Sequence, residues 1–164
     1  MKEAVVAGAL TVSVLNALPG ALGALVWYRG PAGALGAGGL ADPGAGARGF
    51  WVLLRVGQGS AVLLAIAVGS LAAAGKYSSE HLFYLYALLP LAVAFVAEQL
   101  RVASAQTILD QRGLEGSAAV AELPESEQHD LVAAIMRREI GVMALSALVV
   151  VFLALRAAST AHGF

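Results

Sequence analysis

The chain has 164 residues, 59% of them hydrophobic and 13% charged, with mean hydropathy +0.79. A soluble domain carries roughly 25% charged residues, so the main solvent of this chain is lipid rather than water. A formal net charge of -1 excludes a generally basic nucleic-acid binder, and the absence of cysteine excludes disulfides, thiolate metal sites and thiol redox chemistry, including the quinone-linked disulfide enzymes that are also small helix bundles.

The first apolar stretch covers 4–28, broken only by Thr11, Ser13, Asn16 and the Pro19-Gly20 pair, and is long enough to span a bilayer. A cleaved signal peptide is the rival reading, since Lys2 precedes an apolar run with small residues near Gly20 to Ala24. Apolar residues continuing through Trp27 and Tyr28 favour a retained helix. Residues 29–49 are rich in Gly, Ala and Pro and poor in charge, which predicts a flexible connector. Within it, Gly36-Ala37-Gly38-Gly39 resembles a phosphate loop only in composition, because no Lys-Ser or Lys-Thr follows and no strand presents it.

The second span covers 50–74 and closes on the turn Gly75 to Ser79, too short for anything but an antiparallel neighbour. The third span, 81–104, becomes polar from Glu98 but keeps good helix formers up to Gly113, a natural C-terminal stop. At 1.5 Å per residue such a helix is roughly 48 Å long and projects beyond a ~30 Å hydrocarbon core. Pro90 is expected to kink it rather than end it. After a short loop, Pro124 followed by Glu125 and Glu127 reads as a helix start with acids at the positive dipole end. No breaker follows before the fourth span, 139–158. The expected fold is therefore all-α, a four-transmembrane-helix bundle in one membrane domain. Its third and fourth helices extend as a cytoplasmic hairpin with a soluble tip over about 105–138, where Leu131, Val132 and Ile135 form an apolar stripe.

Lys and Arg set the orientation. Arg29, Arg48, Arg112, Arg137 and Arg138 collect on one side, with Arg55 and Arg101 close to it, against Lys2, Lys76 and Arg156 on the other. The positive-inside rule places both long loops in the cytoplasm and both termini outside the plasma (inner) membrane. Trp27, Tyr28, Phe50 and Trp51 are expected to mark the cytoplasmic boundary, and Tyr77, Phe83, Tyr84 and Tyr86 the other.

Ionisable and amide side chains inside a bilayer are expensive and face the bundle interior, so they mark the candidate site. Asn16, Arg55, Gln58 and Glu98 qualify. Arg55 and Glu98 both lie roughly 8 to 9 Å inside their spans at 1.5 Å per residue, so the two are expected to meet, with Arg101 as the competing partner of Glu98 within its own helix. Gly57, Ala61, Ala65 and Gly69 on the second helix, Ala87 and Ala94 on the third, and Ala9, Gly20 and Gly23 around Asn16 on the first give small faces that let helices approach closely. A structural clamp is the plainer reading of the charged pair, and Asn16 reads as an interhelical hydrogen-bonding residue. Of the three histidines, His81 lies at a boundary and His129 and His162 lie outside the spans. That pattern supplies neither facing haem ligands nor a zinc set, and no Ser-His-Asp arrangement is placed plausibly. No metal and no cofactor are expected. The acids Glu115, Glu122, Glu125, Glu127 and Asp130 read as a solvated helix face.

The stretches Val26-Trp27-Tyr28-Arg29-Gly30, Arg55-Val56-Gly57-Gln58 and Leu82-Phe83-Tyr84-Leu85-Tyr86 resemble those of small, uncharacterised four-span bacterial membrane proteins, which have no assigned activity to carry over. Three functions fit these residues. The first is a non-catalytic accessory or assembly subunit, whose partners are the lipid bilayer and other membrane subunits or a homo-oligomer. The second is a small solute or ion transporter or channel using Arg55 and Glu98, and the third a membrane enzyme acting on a lipid or thiol substrate.

Overall fold

A computed structural model describes residues 2–35, 43–114 and 116–162. They form five helices, α1 (Lys2–Leu35), α2 (Pro43–Ala73), α3 (His81–Gln111), the six-residue α4 (Gly116–Ala121) and α5 (Glu125–Thr160), with no strand among the described residues. Four of them are long and apolar enough to cross a membrane, which makes this a multi-pass membrane protein by length and composition.

Two expectations about local structure change. Most of the supposed connector is helical: residues 29–35 continue α1 and 43–49 begin α2, leaving only 36–42, with the Gly36-Ala37-Gly38-Gly39 run, outside the described residues. Alanine favours helix strongly enough to offset interspersed glycines, an existing helix adds residues without a new nucleation cost, and Pro43 sits at the first helical position, where its missing N–H costs nothing. The short loop before Pro124 also contains α4.

The other boundaries follow local chemistry. Gly75 (φ 73) and Gly113 (φ 65) take the left-handed conformation after α2 and α3. Both ends are closed by a bond five residues back, Lys76 N–H to the Leu71 carbonyl and Leu114 N–H to the Leu109 carbonyl, each at 3.0 Å. Pro90 lies inside an unbroken α3. Pro124 precedes α5, and its carbonyl accepts from the Glu127 and Gln128 N–H groups at 2.9 and 3.0 Å.

Packing is uneven. α1 lies against α5 on one side and α2 on the other, α3 packs along α5, and α2 and α3 complete the ring with a much thinner contact. Small residues make the α1–α5 seam tight. A Cβ on Gly20 would stand 2.8 Å from Leu148, one on Gly23 2.6 Å from the Phe50 ring and 2.7 Å from Ala144, and one on Gly141 2.7 Å from the Trp27 indole. In lipid no water is expelled from such a seam, so dispersion at close approach holds it. Gly20 and Gly23 thus face α5 rather than gathering around Asn16.

The apolar interior divides into two clusters. One, with Val5, Ala9, Val12, Leu64, Phe83, Ala87 and Ala154, lies toward the chain termini and the α2–α3 turn. The other, with Val26, Phe50, Leu54, Ala97, Ile140 and Met143, lies toward the far end. Phe50 and Phe83 are fully buried core residues, which corrects their reading as boundary aromatics: helix neighbours reach both rings before lipid does. Trp27, Tyr28 and Tyr77 are exposed, as interfacial aromatics are. On the extension of α3 and α5, Leu131 and Ile108 are buried while Val132 is exposed.

Candidate functional site

Three helices bring charge together at the second cluster's level. Arg55 Nη1 donates to Glu98 Oε1 at 2.6 Å and to Gln58 Oε1 at 2.7 Å, and Gln58 Nε2 reaches Glu98 Oε1 at 3.5 Å. The other Glu98 oxygen accepts from Arg101 Nε at 3.0 Å. Arg101 Nη1 then reaches Glu139 Oε2 on α5 at 3.7 Å, and the Arg101 guanidinium lies over the Trp51 ring of α2 at 5.3 Å. The chain Gln58–Arg55–Glu98–Arg101–Glu139 ties α2 to α3 and α3 to α5. It holds two guanidinium groups and two carboxylates, so its formal charge cancels.

The local sequence explains the arrangement. Arg55 and Gln58 are three apart on α2, as are Glu98 and Arg101 on α3, so each pair shares a helix face. The antiparallel turn at 74–80 brings the two faces to one depth. Side-chain exposures are 55% for Arg55, 26% for Glu98, 29% for Arg101 and 21% for Glu139. The cluster therefore sits on the outer edge of the bundle rather than sealed among its helices.

Arg55 and Arg101 do not compete for Glu98, because each takes one of its oxygens. Glu139 and Trp51 join the cluster without having been singled out as site residues. Glu139 directly precedes the apolar run from Ile140, at the edge of its span and shallower than Glu98, and it joins the cluster through Arg101, which lies nearer that edge on α3. Asn16 stands apart. It is 1% exposed, and its Nδ2 donates to the Val12 carbonyl at 2.9 Å and the Gly57 carbonyl at 3.1 Å. It shares no hydrogen bond with the charged cluster, because Gly57 turns toward α1 while Arg55 and Gln58 turn toward α3. A Cβ on Gly57 would stand 2.8 Å from Asn16 Oδ1 and 3.1 Å from the Leu15 carbonyl. Pro19 offers that carbonyl no N–H, so a close backbone crossing occupies the gap left in the helix ladder. Gly69, expected on the same small ridge, meets nothing within 4 Å.

Two further polar links lie at the ends. Pro31 has no N–H for the Trp27 carbonyl four residues back, and Arg137 Nε from α5 donates to that carbonyl at 3.1 Å while its guanidinium lies 5.8 Å from the Trp27 ring centroid. At the opposite end the His162 carbonyl accepts from Ser78 Oγ at 2.8 Å and from Ser79 N–H at 3.0 Å, and Tyr84 Oη accepts from Ser78 N–H at 2.9 Å.

Comparison with models of known protein families, with curated proteins and with solved structures finds no match.

Proposed function

We propose that the protein is a non-catalytic accessory or assembly subunit of a membrane protein complex in the plasma (inner) membrane. The observation that carries this reading is that the intramembrane charges are spent on one another: Arg55, Glu98, Arg101 and Glu139 all pair within the chain. A groove of about 620 Å³ between α1 and α2, bordered by Gly8, Thr11, Ser60, Ala67 and Ser70, supports it. The hydroxyls of Thr11, Ser60 and Ser70 bond back to carbonyls of their own helices, leaving a lipid-facing trough of small and apolar surface. A transmembrane helix of another subunit, or of a second copy, packs well against such a surface. A photo-crosslinking residue at Ala67 should form an adduct with another polypeptide in native membranes, while the same residue at lipid-facing Phe152 should not. Reaction with lipid alone at both positions would sink the reading.

In this reading both termini lie outside and the long connections, including the hairpin tip, lie in the cytoplasm. The chain has no native cysteine, so single cysteines at Ser79 and Glu122 report the orientation. An impermeant thiol reagent on intact cells should label Ser79→Cys and spare Glu122→Cys, and the reverse pattern inverts the topology.

Arg55 favours a second reading, a solute or ion transporter, because its side chain is 55% exposed while touching Glu98 and could exchange partners with a passing charge. Flux in reconstituted vesicles that Glu98→Gln abolishes without loss of folding would replace the first reading with this one.

A further inference from the structure

On the opposite side of α1 from the α1–α2 groove, α1 and α5 enclose a second groove of about 410 Å³. Its walls are apolar, with Ala24, Gly141, Leu145 and Leu148 prominent, and two donors line it, Arg138 and Trp27. Arg138 is exposed and has no acidic partner among the described residues. The nearest acid in sequence, Glu139, pairs with Arg101 on the other side of α5. The Trp27 indole lies against α5, its Nε1 2.9 Å from where a Gly141 Cβ would stand, and that N–H donates to no acceptor among the described residues. Arg137, the next cation, is occupied by the Trp27 carbonyl and ring. From Arg138 to Leu148 is ten residues of α5, about 15 Å along the axis at 1.5 Å per residue, running from the boundary marked by exposed Trp27 into the apolar span.

We infer that this groove binds one anionic phospholipid, its phosphate on Arg138 and the Trp27 indole N–H and an acyl chain along Leu145 and Leu148. An unpaired guanidinium at the headgroup level, with an apolar trough leading inward from it, is complementary to a phosphodiester on a hydrocarbon chain. Among the described residues no free carboxylate beside Arg138 is available for the ammonium of a zwitterionic headgroup, so the site discriminates by net charge.

Trp27 reports directly on this site. The chain has two tryptophans, and Trp51→Phe leaves Trp27 as the only one. In vesicles containing equal mole fractions of chain-brominated lipid, brominated phosphatidylglycerol should occupy the site beside Trp27 in roughly fivefold preference to brominated phosphatidylcholine, read from quenching; that preference corresponds to about 1 kcal/mol for one basic residue near the surface. Arg138→Gln should abolish the preference, and Arg112→Gln, an exposed cation on the tip, should leave it intact. Native mass spectrometry of the unmodified protein released from mixed phosphatidylglycerol and phosphatidylcholine nanodiscs gives a second measurement independent of the Trp51 change. One phosphatidylglycerol should be retained, and lost in Arg138→Gln. Equal quenching by both lipids, a preference that survives Arg138→Gln, or one removed equally by Arg112→Gln would overturn the inference.

Discussion

The two ends of the bundle share close apolar packing and differ in the polar links that join their helices. Toward the termini, Val5, Ala9, Val12, Phe83, Ala87 and Ala154 pack without a charged group among them. Two hydrogen bonds to the His162 carbonyl, from the Ser78 hydroxyl and the Ser79 N–H, tie the end of α5 to the α2–α3 turn. Toward the far end, ion pairs from Arg55 through Glu98 and Arg101 to Glu139 strengthen the ring where its α2–α3 contact is thin. Where glycine and alanine let backbones touch, dispersion suffices. Where the helix contact is thin, long side chains with complementary charge join the helices, each charge paired rather than left alone in the bilayer.

This contrast can be broken most forcefully at the seam. Gly23→Leu would drive side-chain atoms into the Phe50 ring and Ala144 and should cost about 3 kcal/mol or more, as overpacking without a flexible neighbour does. Reversible unfolding in mixed detergent measures it, and a change under ~1 kcal/mol would show that α1 and α5 can separate freely.

Next in size is Glu98→Gln, which leaves two guanidinium groups facing an amide and should cost about 2 kcal/mol, below the buried-pair range because Arg101 keeps Glu139 and Arg55 is long enough to snorkel toward the headgroups. A charge swap sharpens the point. Arg55→Glu with Glu98→Arg places the new arginine beside Arg101, three residues on, so the swap alone should recover little. Adding Arg101→Gln should recover more. Full recovery from the swap alone would show that Arg101 is only a bystander.

A smaller effect tests the proline-freed carbonyl. Arg137→Gln should cost about 1 kcal/mol through the lost bond to the Trp27 carbonyl. The cost should shrink in a Pro31→Ala background, where residue 31 again has an N–H to donate. A double-mutant cycle with no coupling would dismiss the link.

The smallest change separates two glycines on one helix. Gly69→Ala meets open space and should be neutral or stabilising by up to about 1 kcal/mol through helix propensity. Gly57→Ala, pressed against Asn16, should destabilise. Equal effects at both positions would erase the distinction between the crossing point and the lipid-facing end of α2.

Much of this was legible in the chain itself. Four apolar runs set the four spans, Gly75 and Gly113 set two helix ends, and the shared depth of Arg55 and Glu98 brought that pair together, because hydrophobic length, left-handed glycine and axial rise are local properties. Helix azimuth is not local. Whether Gly57 or Arg55 faces a given neighbour depends on how α1, α5 and α3 arrange themselves around α2. Only the tertiary structure therefore parted Asn16 from the charged cluster, drew in Glu139 and Trp51, and moved Phe50 and Phe83 from the boundary to the core. The helical character of 29–35 and 43–49 escaped for another reason: composition alone weighs Gly and Pro as breakers, whereas a helix already formed through the span carries alanine-rich residues onward, and its Trp27 carbonyl, which Pro31 cannot serve, finds a donor on α5, 110 residues away.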